Sequence, residues 1–306
     1  MRRLLRQTLL ALTFFMALAS AANAAPLEVF VSIPPQKWLS EKIGGELVAT
    51  GVLVARGQDP HTFEPTPRQI SNLARSRIYF TMGMEFEEQI THKLEGAIST
   101  MAMVDTTATI DKIAVSLPGH AGEDHHDEKE GHGGHQHAGD DPHVWLSPPN
   151  LIRMAEVMAE AMIAADPDHA ATYRQNLKQT ADSLTQLHRD ITAELAPFKG
   201  ASFYVFHPSF GYFAKEYGLH QEAVEISGKS PSPKQISALI AKAKKDTVRI
   251  IFVQPQFDSK SATAVALAIG GVVEPLDALS EDIPANLRIM AMQIKNALDH
   301  STRTQP

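Results

Sequence analysis

Cysteine is absent from all 306 residues. That absence excludes disulfides and every thiolate metal site, so any bound metal must be held by nitrogen and oxygen. It also removes the residue on which a secreted protein could carry a lipid anchor. An excess of basic charge is lacking as well. The formal net charge is -7 at neutral pH, which argues against nucleic acid, whose partners present a basic face. Much of that acid lies in one histidine-rich tract, so the remainder is closer to neutral. No His-Glu-x-x-His motif is present, which removes the usual helix of a zinc hydrolase. The apolar stretch from Thr8 to Leu18 is too short to span a bilayer comfortably. It follows Arg2, Arg3 and Arg6 and precedes Ala22-Asn23-Ala24, a small-x-small cleavage pattern. Residues 1–24 are therefore expected to be a secretory signal peptide. The product should begin near Ala25 and be soluble, most simply in a Gram-negative periplasm.

Histidine is what the chain has instead, 14 in all. The tripeptide Asp-Pro-His occurs at Asp59-Pro60-His61 and again at Asp141-Pro142-His143. Imidazole is the commonest protein metal ligand, and each proline fixes the backbone torsion just before its histidine. Between residues 119 and 140 the chain is low in complexity and carries His120, His125, His126, His132, His135 and His137. Such a segment cannot bury apolar surface and is expected to be disordered, with weak accessory metal binding.

Short β-rich runs alternate with helical patterns. Strands are expected at 27–33, 47–54, 78–82 and 101–104, and again at 202–206, 223–226, 248–253 and 272–276. Helices are expected at 36–43, 67–75, 86–98, 211–217, 233–244 and 260–269. This grammar means crossover units and parallel sheets, an α/β fold in two halves. Residues 151–165 form one amphipathic helix. Residues 168–195 form another, with Tyr173, Leu177, Leu184, Leu187, Ile191 and Leu195 on one stripe, started by Asp166-Pro167 and stopped by Pro197. The expected organisation is an N-terminal lobe over 25–165, a rigid linking helix over 166–196 and a C-terminal lobe over 197–306. The rigid helix should let the lobes move little.

His61, His207 and Asp277 each follow an expected strand. Ligands of open parallel sheets bind outside the carboxyl ends of strands, so these three can converge between the lobes. His143 joins them from Asp141-Pro142-His143-Val144-Trp145, where the chain re-enters a core. His92, His169, His188, His220 and His300 have no partner pattern and read as surface or structural. Met82, Met84, Met101 and Met103 read as fillers rather than soft ligands.

Three segments carry a resemblance. They are Asp59-Pro60-His61-Thr62-Phe63-Glu64-Pro65-Thr66-Pro67, Asp141-Pro142-His143-Val144-Trp145-Leu146-Ser147-Pro148 and Phe206-His207-Pro208-Ser209-Phe210-Gly211-Tyr212-Phe213. They resemble the histidine motifs of zinc-type substrate-binding proteins of metal ABC importers. Val253-Gln254-Pro255-Gln256-Phe257 and Leu276-Asp277-Ala278-Leu279 resemble that family's C-terminal elements. The resemblance implies two (β/α)4 lobes joined by one long backbone helix, with metal between them. It implies His61, His143 and His207 as ligands, with Asp277, a nearby carboxylate such as Glu64, or water in the fourth place. A histidine at 207 favours Zn²⁺ over Mn²⁺, and the histidine-rich insertion is similar to that of zinc members. It further implies a non-enzymatic monomer that serves an ABC permease of the inner membrane, with periplasmic zinc chaperones as possible further partners. Three imidazoles and a carboxylate suit tetrahedral Zn²⁺, whereas Mn²⁺ prefers more oxygen. Cu²⁺, Ni²⁺ and Co²⁺ should compete in vitro. The rival readings are a periplasmic metal buffer or chaperone and, further off, a zinc hydrolase.

Overall fold

Strand β1 (Leu27–Val31) runs parallel to β2 (Val48–Val52), starting from the pair Leu27 and Val48, and on its other side parallel to β3 (Ile78–Thr81). β4 (Ala102–Asp105) completes the order β2-β1-β3-β4. The second sheet repeats the plan with β5 (Ser202–Val205), β6 (His220–Ala223), β7 (Ile250–Val253) and β8 (Val272–Pro275) in the order β6-β5-β7-β8, all parallel. The computed structural model describes residues 25–94, 101–114, 139–225, 232–257 and 260–303. The signal-peptide segment and the six histidines from His120 to His137 lie outside the described residues, as does the end of the helix expected over 86–98. Among the described residues, no helix is long and apolar enough to cross a membrane.

Crossover helices cover the first sheet: α1 (Pro34–Gly44), α2 (Pro67–Leu73) and α3 (Glu85–Leu94). α1 starts on prolines whose missing donors would be unsatisfied there anyway, and it stops at Gly45, at φ 56°. α2 has a full capping box, Thr66 and Gln69 each satisfying the other's backbone N–H. α4 (Pro148–Ala165) begins three residues before the expected start, because Ser147 accepts the Asn150 N–H and Pro148 opens the first turn. A short 3-10 turn (Pro167–His169) leads into α5 (Ala170–Leu195), 26 residues and about 39 Å long. α5 buries Tyr173, Leu184, Leu187, Ile191 and Leu195 and packs on α1 and α4.

The C-terminal half adds α6 (Gly211–Tyr217), α7 (Pro233–Lys245), α8 (Lys260–Ile269) and α9 (Ile283–Arg303). α9, absent from the sequence reading, buries Leu287, Met290, Ala291, Ile294 and Leu298 and packs on α5. β6 ends where a strand over 223–226 is expected to begin. α6 closes on Gly218 at φ 66°, and the chain pairs with β5 at once, His220 opposite Ser202. One hydrophobic core runs through both halves, from Val29, Val31 and Leu39 to Phe203, Val205, Leu276 and Leu287. A second, between the outer face of the second sheet and α7 and α8, holds Tyr204, Ile251, Leu239 and Val265.

Candidate metal centre

Three imidazoles meet where the carboxyl ends of the two sheets face each other. His61 sits in a 3-10 turn (Pro60–Thr62) in the loop after β2. His143 precedes a 3-10 turn (Val144–Leu146) that leads into α4, and His207 lies two residues beyond β5. Their ring centroids are 5.6 Å apart for His61 and His143, 4.9 Å for His61 and His207, and 5.4 Å for His143 and His207. One ligand nitrogen from each lies within 4.8 Å of the others. Zinc–nitrogen bonds of about 2.0–2.1 Å would set tetrahedral nitrogens about 3.3 Å apart, so the rings need only a small inward movement to close on an ion.

The repeated Asp-Pro-His makes the same local structure twice. Asp59 Oδ1 accepts the His61 backbone N–H at 3.0 Å, and Asp141 Oδ1 accepts that of His143 at 2.9 Å. The aspartate side chain closes the turn that the proline stiffens. In the second copy the aspartate does more. Asp141 Oδ1 also lies 2.7 Å from His143 Nδ1, with both side chains buried. His207 has a matching support, its Nδ1 lying 3.0 Å from buried Glu225 Oε2. A carboxylate behind a histidine fixes ring and tautomer and leaves the far nitrogen basic. That far nitrogen of His207, Nε2, is buried without a hydrogen-bond partner. A buried polar atom aimed at two other imidazoles is an orphan that a cation would satisfy.

Electrostatics agree. His61 is exposed as a residue, but its ring is crowded against the other two. Burial of the ring, then the His143 and His207 rings, push its proton affinity down to about 4, against the opposing pull of Asp59 and Glu225. His61 is therefore neutral at physiological pH, the form a metal requires. Phe257 stacks on His207 at 4.7 Å and 25°, and Phe63 packs edge-on against Phe86 at 5.1 Å beneath the His61 turn.

Asp277 is not gathered into this group. Its Oδ1 accepts the Leu279 N–H at 2.9 Å and faces Gln256 Nε2 at 3.5 Å, while its carbonyl accepts from Asn286. Glu64 is exposed and also outside the group. Sequence reading overlooked Asp141, Glu225 and Gln254. Asp141 was visible as half of the repeated tripeptide. Glu225 and Gln254 lie 18 and 47 residues from His207, and only the β5–β6 and β5–β7 pairings bring them to it. Of the other histidines, His169 bonds to Asp166 at the start of α5 and His188 approaches Glu216 at 3.7 Å.

The profile of the family described as zinc-uptake complex component A, periplasmic, matches residues 29–298. The crystal structure of ZnuA is 35% identical, with a TM-score of 0.80 over 89% of this chain and 99% of that one. A deletion mutant of ZnuA with zinc bound is 36% identical, with a TM-score of 0.79 over 89% and 98%. The zinc-binding protein AdcA of Streptococcus pyogenes serotype M3 is 29% identical over 295 residues, 91% of this chain and 56% of AdcA. The chain thus spans little more than half of that longer relative. A Chlamydia muridarum protein named for metal binding is 29% identical over 265 residues, 86% of this chain and 89% of its own length.

Proposed function

We propose that this chain, which belongs to the periplasmic zinc-uptake component A family, captures Zn²⁺ outside the inner membrane and delivers it to an ABC importer. The observation that carries the reading is the group of three imidazole nitrogens within 4.8 Å, one of them buried and unpartnered. His61 and His143 come from the first lobe and His207 from the second, so the ion is cargo that ties the lobes together. The carboxylates of Asp141 and Glu225 lie directly behind two of the three imidazoles, a support that suits a divalent ion. All-nitrogen donors favour Zn²⁺ over Mn²⁺, with Cu²⁺, Ni²⁺ and Co²⁺ as competitors. The space that the histidines line measures about 20 Å³ and is partly open, room for an ion and a water rather than an organic substrate. That supports transport over hydrolysis. Family membership supports an ABC permease as the partner, and the basic, apolar and small-x-small pattern of residues 1–24 supports export to the periplasm. Residues 119–140 are assigned a weaker, accessory zinc-collecting role.

Isothermal calorimetry on the apo protein tests the assignment. Wild type should bind one equivalent of Zn²⁺ tightly, and His61→Ala, His143→Ala or His207→Ala should lose it. A tight equivalent retained by His207→Ala would sink the site. Deleting 119–140 should remove only extra, weaker equivalents. Asp277 lies outside the histidine cluster with its Oδ1 accepting the Leu279 N–H, which supports water in the fourth position, and Asp277→Asn should then change the affinity less than about threefold. A loss comparable to that of a histidine variant would restore Asp277 as a ligand.

A further inference from the structure

We propose that Gln254 is a positioning residue that presets His207 for the metal; the inference rests on the site reading above. Gln254 directly follows β7 and His207 lies just past β5, the two neighbouring strands on either side of the point where the sheet order reverses. Its side chain is 1% exposed. Its Oε1 accepts the His207 backbone N–H at 3.3 Å, and its Nε2 donates to the His207 carbonyl at 2.6 Å and to Ser209 Oγ at 2.9 Å. A backbone N–H can only donate and a carbonyl can only accept, so this pairing allows one orientation of the amide. Gln254 therefore grips the peptide groups on both sides of the His207 Cα. Strand pairing reaches only the first of these two peptides, where the Glu225 N–H donates to the Phe206 carbonyl at 2.9 Å. The last ladder bond between β5 and β7 is Phe206 N–H to Phe252 O, and Pro208, the next residue, has no N–H to offer.

The grip explains how a residue beyond the end of a strand holds one direction. Glu225 fixes the His207 ring at Nδ1 and Phe257 lies on its face, but both act on the side chain; the His207 backbone is held by Gln254 at both its N–H and its carbonyl, with the Ser209 N–H as a second donor to that carbonyl at 2.8 Å. Methionine at 254 would match the length and lose both bonds. Glutamate would keep the acceptor for the His207 N–H and lose the donor to its carbonyl. Displacing a ligand's support typically lowers metal affinity roughly 10- to 100-fold.

The test is a cycle of zinc affinities, measured by competition with a chromophoric chelator on wild type, Gln254→Met, His207→Ala and the double variant. Apo melting temperatures are recorded alongside. Gln254→Met should weaken binding roughly 10- to 100-fold, yet change the weak residual binding of His207→Ala less than about threefold. The same loss in both backgrounds would make Gln254 a general structural residue and overturn the proposal. So would wild-type affinity in Gln254→Met. If Gln254→Met fails to fold, Gln254→Glu takes its place, and an unchanged affinity there is equally fatal. Failure of wild type itself to bind zinc tightly would strike the site reading instead.

Discussion

Each buried histidine of the cluster leans on a carboxylate, Asp141 behind His143 and Glu225 behind His207. Asp141→Asn keeps an oxygen acceptor and removes the charge. Zinc affinity should fall roughly 10-fold by chelator competition, and an unchanged value would reduce Asp141 to a turn-former. His61 makes the opposite case, an imidazole held neutral down to about pH 4 by burial and then by its two histidine neighbours. The unfolded chain takes up that proton near pH 6.5, so in this window it binds more protons than the native state. The contribution of His61 to apo stability is complete above pH 6.5 and is lost as pH falls toward 4. His61→Gln should flatten the stability–pH profile of the apo protein between those limits in denaturant titrations, and an identical slope would refute the assignment. The three clustered histidines were legible in sequence because proline-marked motifs announce them. Their supports were not, since a glutamate at 225 or a glutamine at 254 gains meaning only when strands adjacent in the sheet bring it beside His207.

Among elements, α6 shows how tightly the two halves meet at the site. A Cβ built on Gly211, its first residue, would lie 2.5 Å from Asp141 Oδ2 and 3.3 Å from Ile113 Cδ1. Tyr212 OH accepts the Ile113 N–H at 3.1 Å in the same seam. Alanine is intrinsically favoured over glycine in a helix by up to about 1 kcal/mol, so propensity alone predicts that Gly211→Ala is harmless or stabilising. The contact predicts otherwise: Asp141 must swing away, His143 loses its support, and zinc affinity drops several-fold while the melting temperature of the apo protein changes little. Unchanged affinity would show that the seam opens without cost. Elements that read well from sequence were those with a strong period, such as α5, or with caps, such as α7 behind Ser232 and Gln235. β6 read poorly because its residues His220, Gln221 and Glu222 are polar, as an edge strand allows. The apolar letters just beyond them drew the expectation to 223–226.

The whole molecule is two copies of one sheet order braced by α5, and its histidine cluster sits where bracing alone does not reach. A shared core and the ion pair between Glu194 on α5 and Lys295 on α9, at 3.3 Å, hold the halves on the helix side. On the site side the loop after β8 is tied across the cleft twice. Trp145 Nε1 donates to the Ala278 carbonyl at 2.6 Å, and Lys37 pairs with Glu281 at 2.6 Å. Ala278 and Leu279 line the metal cavity, so these ties close one of its walls. With the halves so joined, zinc should raise the melting temperature without a large change in shape. Saturation at about 1,000 times Kd is worth about 4 kcal/mol by mass action, while the radius of gyration in X-ray scattering should barely move. The two ties should differ in weight. The indole bond is buried, and losing its donor strands a carbonyl in a dry place. The lysine pair is half open to solvent, with Glu281 52% exposed, where such pairs contribute little. Trp145→Phe should therefore speed zinc release to a chelator in stopped flow several-fold more than Lys37→Met does. Equal rates for the two variants would mean that the loop after β8 is not the wall that opens.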